Sequence, residues 1–317
     1  MLDTVIRAAT IVDGTGAPPR NGDVGIRDGR IVAIGNVTEA ADETIDAGGA
    51  LLTPGWVDVH THYDGQVTWD DTIDPSASHG VTTVVTGNCG VGFAPAPPDG
   101  HRDLIELMEG VEDIPGTALY EGMPWGEWET FPEYLALLDR REFALDVGTQ
   151  LSHGALRNYV MGARGRANEA PTADDLEHMR DLVEEAMRAG AVGFSSSRLL
   201  GHRSMSGVPV PGTFADEAEL MALAVGMARA GSGVFELVPM VEQMGGDGFG
   251  TELELIRKIG VESGRPVTFT TVQPPPMPDL WKRVLAFCAE QNAAGANLRP
   301  QVASRPVSIC LLYTSDA

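Results

Sequence analysis

Gly55-Trp-Val-Asp-Val-His60-Thr-His62 is an apolar run that ends in two histidines separated by one residue. Residues i and i+2 of a strand face the same side, so both imidazoles are expected at one face of the strand's C-terminal end. Two neutral imidazoles on one face suit Zn²⁺ or a similar divalent ion. The bland alternative is a pair of histidines sharing a polar strand end. The lead-in Thr53-Pro54-Gly55 and the apolar strand favour the ligand pair.

Downstream, Thr82 to Thr86 forms the next apolar strand and runs into Gly87-Asn-Cys89-Gly90. A thiolate is a strong zinc ligand, and flanking glycines let the backbone turn it into a site. A buried structural cysteine is the competing reading; beside the histidine pair, the ligand reading is preferred. Further strands are expected at Asp146–Ser152, Val192–Ser196, Gly233–Val238, Pro266–Val272 and Leu298–Val302, with helical patterns between them. Asp174–Ala189 repeats its apolar residues at a helical period, with Thr172 as N-cap and Gly190 as stop. Strand then helix, repeated, indicates an α/β protein with a parallel sheet or (β/α) barrel, whose sites lie at the strands' C-terminal ends. Counting Gly55–Val59, seven such strands are read where a closed barrel wants eight. The segment from about Gly110 to Trp128 interrupts the rhythm and reads as a loop insertion on the rim.

Upstream, Thr4–Arg7, Thr10–Asp13, Asp23–Arg27 and Arg30–Ile34 are rich in Val and Ile. Turn signals punctuate them at Asp13-Gly14, Asn21-Gly22 and Asp28-Gly29. The expected organisation is a small β unit over residues 1–53 and a partial barrel over 54–309.

The residues Gly55 to Asp64, with Gly87-Asn-Cys89-Gly90, resemble the D-aminoacylase branch (N-acyl-D-amino-acid deacylases) of the amidohydrolase superfamily. The resemblance extends to about Val307 and includes His153-Gly-Ala-Leu-Arg157, Gly193-Phe-Ser-Ser and Pro211-Gly-Thr-Phe-Ala215. It implies a TIM-like (β/α)₈ metal-dependent hydrolase barrel, incomplete here, with a small N-terminal β-sandwich portion. It also implies hydrolysis of the amide C–N bond of N-acyl (D-)amino acids or related linear amides, with one or two Zn²⁺ ions. His60, His62 and Cys89 match the family's metal ligands. Asp64, His153 and Arg157 fall near the substrate pocket, with a supporting or structural role for His153 equally open. The family's two further histidine ligands, from the fifth and sixth strands, are missing from Val234-Phe-Glu236-Leu-Val and from Val267 to Gln273. Glu236 reads either as an oxygen ligand in their place or as an ordinary polar residue.

The family's catalytic aspartate belongs to the last barrel strand. The resemblance places that strand beyond this sequence, so the catalytic residue is unassigned and the chain is expected to be a C-terminally truncated fragment with negligible hydrolase activity. Cys310-Leu-Leu-Tyr-Thr-Ser-Asp-Ala317 resembles a translated library adaptor, and residues 310–317 are set aside as an artefact.

Two other functions compete. A cyclic-amide hydrolase of the hydantoinase or dihydroorotase type would usually carry a carboxylated lysine; Lys258 and Lys282 both fall in helical patterns. A non-catalytic metal- or ligand-binding barrel is favoured by the missing histidines. His79 and His202 read as loop histidines, and Met221, Met227 and Met240 as packing.

Composition narrows the partners. The 317 residues are 43% apolar, and carry 22 basic against 45 acidic side chains, a net charge of -23. Such a surface repels phosphate backbones and anionic membranes, leaving a small-molecule amide as the expected partner. Three cysteines suit a reducing compartment better than a disulfide framework. There is no visible signal peptide and no apolar run near the roughly 18 residues that span a bilayer, so a cytoplasmic location is expected.

Overall fold

The computed structural model describes residues 1–240 and 248–303. The expected adaptor-like segment 310–317 lies outside the described residues. Two compact units are present, Met1–Trp56 and Val57–Ala317.

The first unit is a five-stranded sheet of β1 (Leu2–Ile11), β2 (Arg20–Arg27), β3 (Arg30–Gly35), β4 (Ala41–Asp46) and β5 (Leu51–Leu52). Strands β1, β2 and β3 are antiparallel neighbours, whereas β4 and β5 pair with β1 in parallel. The expected strands at Thr4–Arg7 and Thr10–Asp13 are one strand with a bulge. Ala8 takes a positive φ of 54° there, and its N–H donates to Asp23 Oδ1 at 3.0 Å. A bulge changes which face later residues present, which is why the apolar pattern breaks in two. Strand β4 was not anticipated: Ala-Asp-Glu-Thr-Ile-Asp has no apolar alternation, and its last five residues are exposed. The Asp28-Gly29 signal holds, with positive φ at both residues between β2 and β3.

The second unit is built on seven strands: β6 (Trp56–Asp58), β7 (Val81–Thr86), β8 (Asp146–Ser152), β9 (Gly193–Ser197), β10 (Val234–Val238), β11 (Val267–Thr270) and β12 (Leu298–Gln301). They are ordered in the sheet as in the chain, and β7 through β12 pair in parallel. The sheet curls far enough for His60, just past β6, to bond Gln301 on β12, so the two outermost strands meet at this point. This is an incomplete TIM-like barrel. Its edge residues Val57, Val59 and Val302 are exposed.

Central strands are buried on both faces, as parallel sheets require. Phe194 on β9 and Phe235 on β10 are register partners and pack at a tilt, 5.2 Å between centroids, on the helix-facing side. Their neighbours Ser195 and Glu236, also register partners, therefore face the barrel interior. The connecting helices include α1 (His101–Glu112), α2 (Gly116–Gly122), α3 (Phe131–Asp139), α4 (His153–Met161), α5 (Ala163–Arg166), α6 (Ala173–Ala189) and α7 (Glu217–Ala230). Helix α6 has a reciprocal capping box between Thr172 and Asp175, and ends at Gly190 with φ 118°. The expected rim loop at Gly110–Trp128 is partly helical, because α2 forms inside it and buries Leu119. Two more helices, α8 (Gly248–Ser263) and α9 (Leu280–Ala293), complete the set among the described residues.

Candidate metal centre

The regular part of β6 ends at Asp58, so both histidines lie just beyond it. Thr61 holds this extension to β7: its N–H and its hydroxyl both donate to Val85 O, at 3.1 and 2.8 Å. The imidazoles of His60 and His62 stand edge-on, 5.4 Å between centroids. Cys89 comes from the loop after β7, in which Gly87, Cys89 and Gly90 all have positive φ. A Cβ on Gly87 would lie 2.2 Å from Gln150 O, so only glycine fits that turn. Asn88 pins the loop from within. Its Nδ2 donates to Thr61 O and Val85 O, and its Oδ1 accepts from Gln150 Nε2.

His60, His62 and Cys89 are thereby brought together: one ligand atom from each lies within 4.8 Å of the other two. His60 Nε2 is 3.1 Å from Cys89 Sγ, and His60 Nδ1 bonds Gln301 Oε1 at 2.9 Å. An amide oxygen can only accept, so Nδ1 carries the proton and the Nε2 lone pair faces the sulfur. Burial holds His60 below the ordinary imidazole range and, with help from His60 and His202, pulls His62 down to about 3. Both rings are therefore neutral near pH 7, the form that can coordinate a metal. Burial, with the nearby Glu236, Glu112 and Asp64 carboxyls, raises the Cys89 thiol. A sulfur and two imidazole nitrogens, with His62 Nδ1 buried and unpartnered among the described residues, fit a divalent metal of the zinc type.

Carboxyls surround this group without belonging to it. Glu236 is buried on β10, its Oε2 accepts the Cys89 N–H at 3.2 Å, and its Oε1 has no partner among the described residues. It points toward Cys89 from inside the barrel, and burial pushes its pKa up to about 8. Asp64 is also buried, and its Oδ1 accepts the Gly87 N–H at 2.7 Å, so it clamps the cysteine loop. Its pKa is likewise pushed up to about 8 by burial. Glu112, at the end of α1, lies 3.2 Å from His62 Nε2 and is raised to about 7 by burial. Sequence reading missed Glu112 and Gln301, since neither sits in a motif. His202, read as a loop histidine, does follow β9 in a loop, with its Nδ1 2.9 Å from Ser197 Oγ.

His153 and Arg157 are placed elsewhere. His153 is fully buried on the helix-facing side of β9, bonded to Ser196 Oγ at 2.8 Å and Glu219 Oε1 at 3.1 Å. Arg157 pairs with the same Glu219 and is 2% exposed. Strand alternation accounts for this placement, which suits the structural alternative for His153: Ser196 faces away from the barrel interior, whereas Ser195 and Ser197 face into it. Neither residue borders the space beside His60 and His62. His79 is exposed and bonds Pro75 O.

No helix among the described residues is long and apolar enough to cross a membrane. Lys258 and Lys282 lie on α8 and α9, ion-paired to Glu217 and Asp279, away from strand ends.

The fold is shared with solved proteins. The chain is 31% identical to N-acyl-D-glutamate deacylase from Bordetella bronchiseptica, a structure complexed with zinc and a phosphonate inhibitor; the TM-score is 0.75, over 96% of this chain and 59% of that one. D-aminoacylase from Alcaligenes xylosoxydans xylosoxydans is 37% identical over 199 residues, 62% of this chain and 37% of the relative. The chain thus spans well under two thirds of either protein. L-hydantoinase from Arthrobacter aurescens, at 17% identity, 96% of this chain, 58% of that one and a TM-score of 0.55, shares the fold alone. Residues 43–300 match the model of the amidohydrolase family, and with strand-end histidines, cysteine loop and curled parallel sheet in place, the chain belongs to that family.

Proposed function

We propose that this chain carries the metal centre of a deacylase that hydrolyses the amide bond of N-acyl amino acids, with N-acyl-D-amino acids as the leading substrate class. His60, His62 and Cys89 are the proposed protein ligands, and Zn²⁺ the proposed ion. The observation that carries the reading is the convergence of two neutral imidazoles and a thiol within 4.8 Å. Thiolate with imidazole selects zinc over the harder magnesium and calcium. When bound, such an ion lowers the pKa of water toward neutrality and polarises a carbonyl.

The chain's own groups set the conditions. Gln301 fixes the His60 tautomer and so aims its lone pair. Asp64 and the Gly87 turn hold Cys89 in place. Glu236 can hold or release a proton at Oε1, with Oε2 anchored on the Cys89 N–H. The buried surroundings limit water and strengthen each of these interactions.

The test is zinc content after dialysis, followed by release of free amine from N-acetyl-D- and N-acetyl-L-amino acids. The reading expects zinc retention that His60→Ala and Cys89→Ala abolish, and amine release from the D series when this segment is part of a chain of the relatives' length. Retention of zinc by both variants would refute the ligand set. Turnover of hydantoin in preference to the linear amides would refute the substrate class.

A further inference from the structure

A space of about 460 Å³ lies beside His60 and His62. The rim segment that follows α1 contributes Ile114 and, from α2, Leu119 to its wall. Trp69 adds an aromatic face. It ends the 3₁₀ turn Gln66–Thr68, with its N–H donated to Gln66 O at 3.0 Å. Two glycines hold the indole by their lack of a side chain. A Cβ on Gly65 would lie 3.0 Å from Trp69 Cη2 and 2.5 Å from Leu119 Cδ2, and one on Gly122 would lie 2.9 Å from Trp69 Cε3. The ring is thus fixed in place, yet Trp69 remains 40% exposed.

Most polar groups of this wall are already spent on one another or on the backbone. Tyr63 OH and Ser76 Oγ bond each other at 2.9 Å. Gln66 Nε2 donates to Asp70 Oδ2 at 2.7 Å and to Asp74 O at 3.1 Å. The Thr61 hydroxyl donates to Val85 O at 2.8 Å. Besides the two imidazoles, the wall then offers the apolar groups of Trp69, Ile114 and Leu119 and the acidic side chains of Asp58 and Glu112. No lysine or arginine stands among the described lining residues. A carboxylate placed here would give up hydration and gain no counter-charge from the wall.

An N-acyl amino acid divides at its amide into an uncharged acyl half and a half that carries the α-carboxylate. We infer that the acyl half occupies the space beside His60 and His62, that Trp69 is the specificity-determining residue there, and that the preferred acyl groups are aromatic and larger than acetyl. The inference rests on the deacylase reading of the same site. An acetyl methyl would leave most of the space unfilled, whereas an arylacetyl ring reaches the exposed part of the indole, where aromatic pairs gain more than burial alone provides. The carboxylate half points away from Asp58 and Glu112.

The experiment uses the zinc-loaded 317-residue chain and two isomers as probes, N-phenylacetyl-D-alanine and N-acetyl-D-phenylalanine. Both carry one phenyl ring and one α-carboxylate, but the ring lies on opposite sides of the amide. Titration calorimetry is expected to show the phenylacetyl isomer bound about 10-fold more tightly. Trp69→Ala should abolish that difference with zinc stoichiometry unchanged, and Trp69→Phe should keep part of it. In a chain of the relatives' length, the same preference should appear in kcat/KM for amine release. Equal binding of the isomers, tighter binding of N-acetyl-D-phenylalanine, or a preference that survives Trp69→Ala would overturn the assignment and leave the deacylase reading intact. Failure of both isomers to bind the unmutated zinc-loaded chain would overturn both.

Discussion

Glu219→Gln tests the buried charge cluster behind the barrel. Arg157 and Glu219 are each 2% exposed, and His153 is fully buried against the same carboxylate. The substitution keeps side-chain volume and the Oε1 acceptor that His153 and Arg157 share, but removes the carboxylate charge that offsets the buried guanidinium. An unpaired buried charge of this kind costs about 3–5 kcal/mol. For a unit of this size that corresponds to a Tm lowered by about 6–20 °C. The measurement is thermal unfolding followed by near-UV circular dichroism, which reports the Trp125–Trp128 contact in the same unit. Arg157→Met added to Glu219→Gln removes both charges and should recover part of the loss.

The pH dependence has a definite sign. Glu219 is held below its ordinary value by its His153 and Arg157 partners, against the opposing effect of burial. Its contribution is therefore present above about 4.5 and lost as pH falls through its folded pKa. Burial lowers His153 from 6.5, so the unfolded chain binds a proton that the folded chain refuses, and stability again falls as pH drops below about 6.5. Both groups sensitise the unmutated chain to acid, and Glu219→Gln should flatten only the carboxylate part of that profile. A Tm shift under about 2 °C, the equivalent of less than 1 kcal/mol, would refute the reasoning. So would a double variant that is less stable than Glu219→Gln alone.

Three further outcomes are expected. Gly87→Ala should lose zinc binding and about 2–5 kcal/mol of stability, because left-handed strain adds to a 2.2 Å approach to Gln150 O; a normal melting curve would contradict this. Gln301→Ala should weaken zinc about 10- to 100-fold in a chelator competition while the fold survives, since it removes only the partner of His60 Nδ1. Thr172→Ala should cost about 1 kcal/mol in denaturant unfolding with no effect on zinc, as expected for loss of one helix cap.

Residues that announce themselves by local pattern were legible from the sequence. The seven barrel strands and helix α6 follow from apolar runs and end signals. His60, His62 and Cys89 follow from their places at strand ends, and they do converge. What escaped depends on distant parts of the chain. Glu112 belongs to an amphipathic helix whose pattern says nothing of His62. Gln301 matters only because the sheet curls back to His60. For His153 the sequence left a pocket or a structural role open, because a motif marks neighbours in sequence, whereas the alternation of β9 decides which side of the sheet its Ser196 partner faces. Strand β4 is polar because its side chains are exposed, so only its backbone pairing identifies it.

The bond between His60 and Gln301 joins residues 241 apart. At ribosomal rates of about 5–20 residues per second, His60 waits about 12–48 s for the side chain that selects its tautomer. During that interval the imidazole, its neighbour His62 and the thiol of Cys89 have all been synthesised, yet the lone pair has no fixed aim. Contacts this distant are also late and slow to form, because loop closure must precede them. The donor set is therefore complete in composition long before it is complete in geometry, and the arrangement proposed to hold a metal is deferred until the curled sheet has closed on itself.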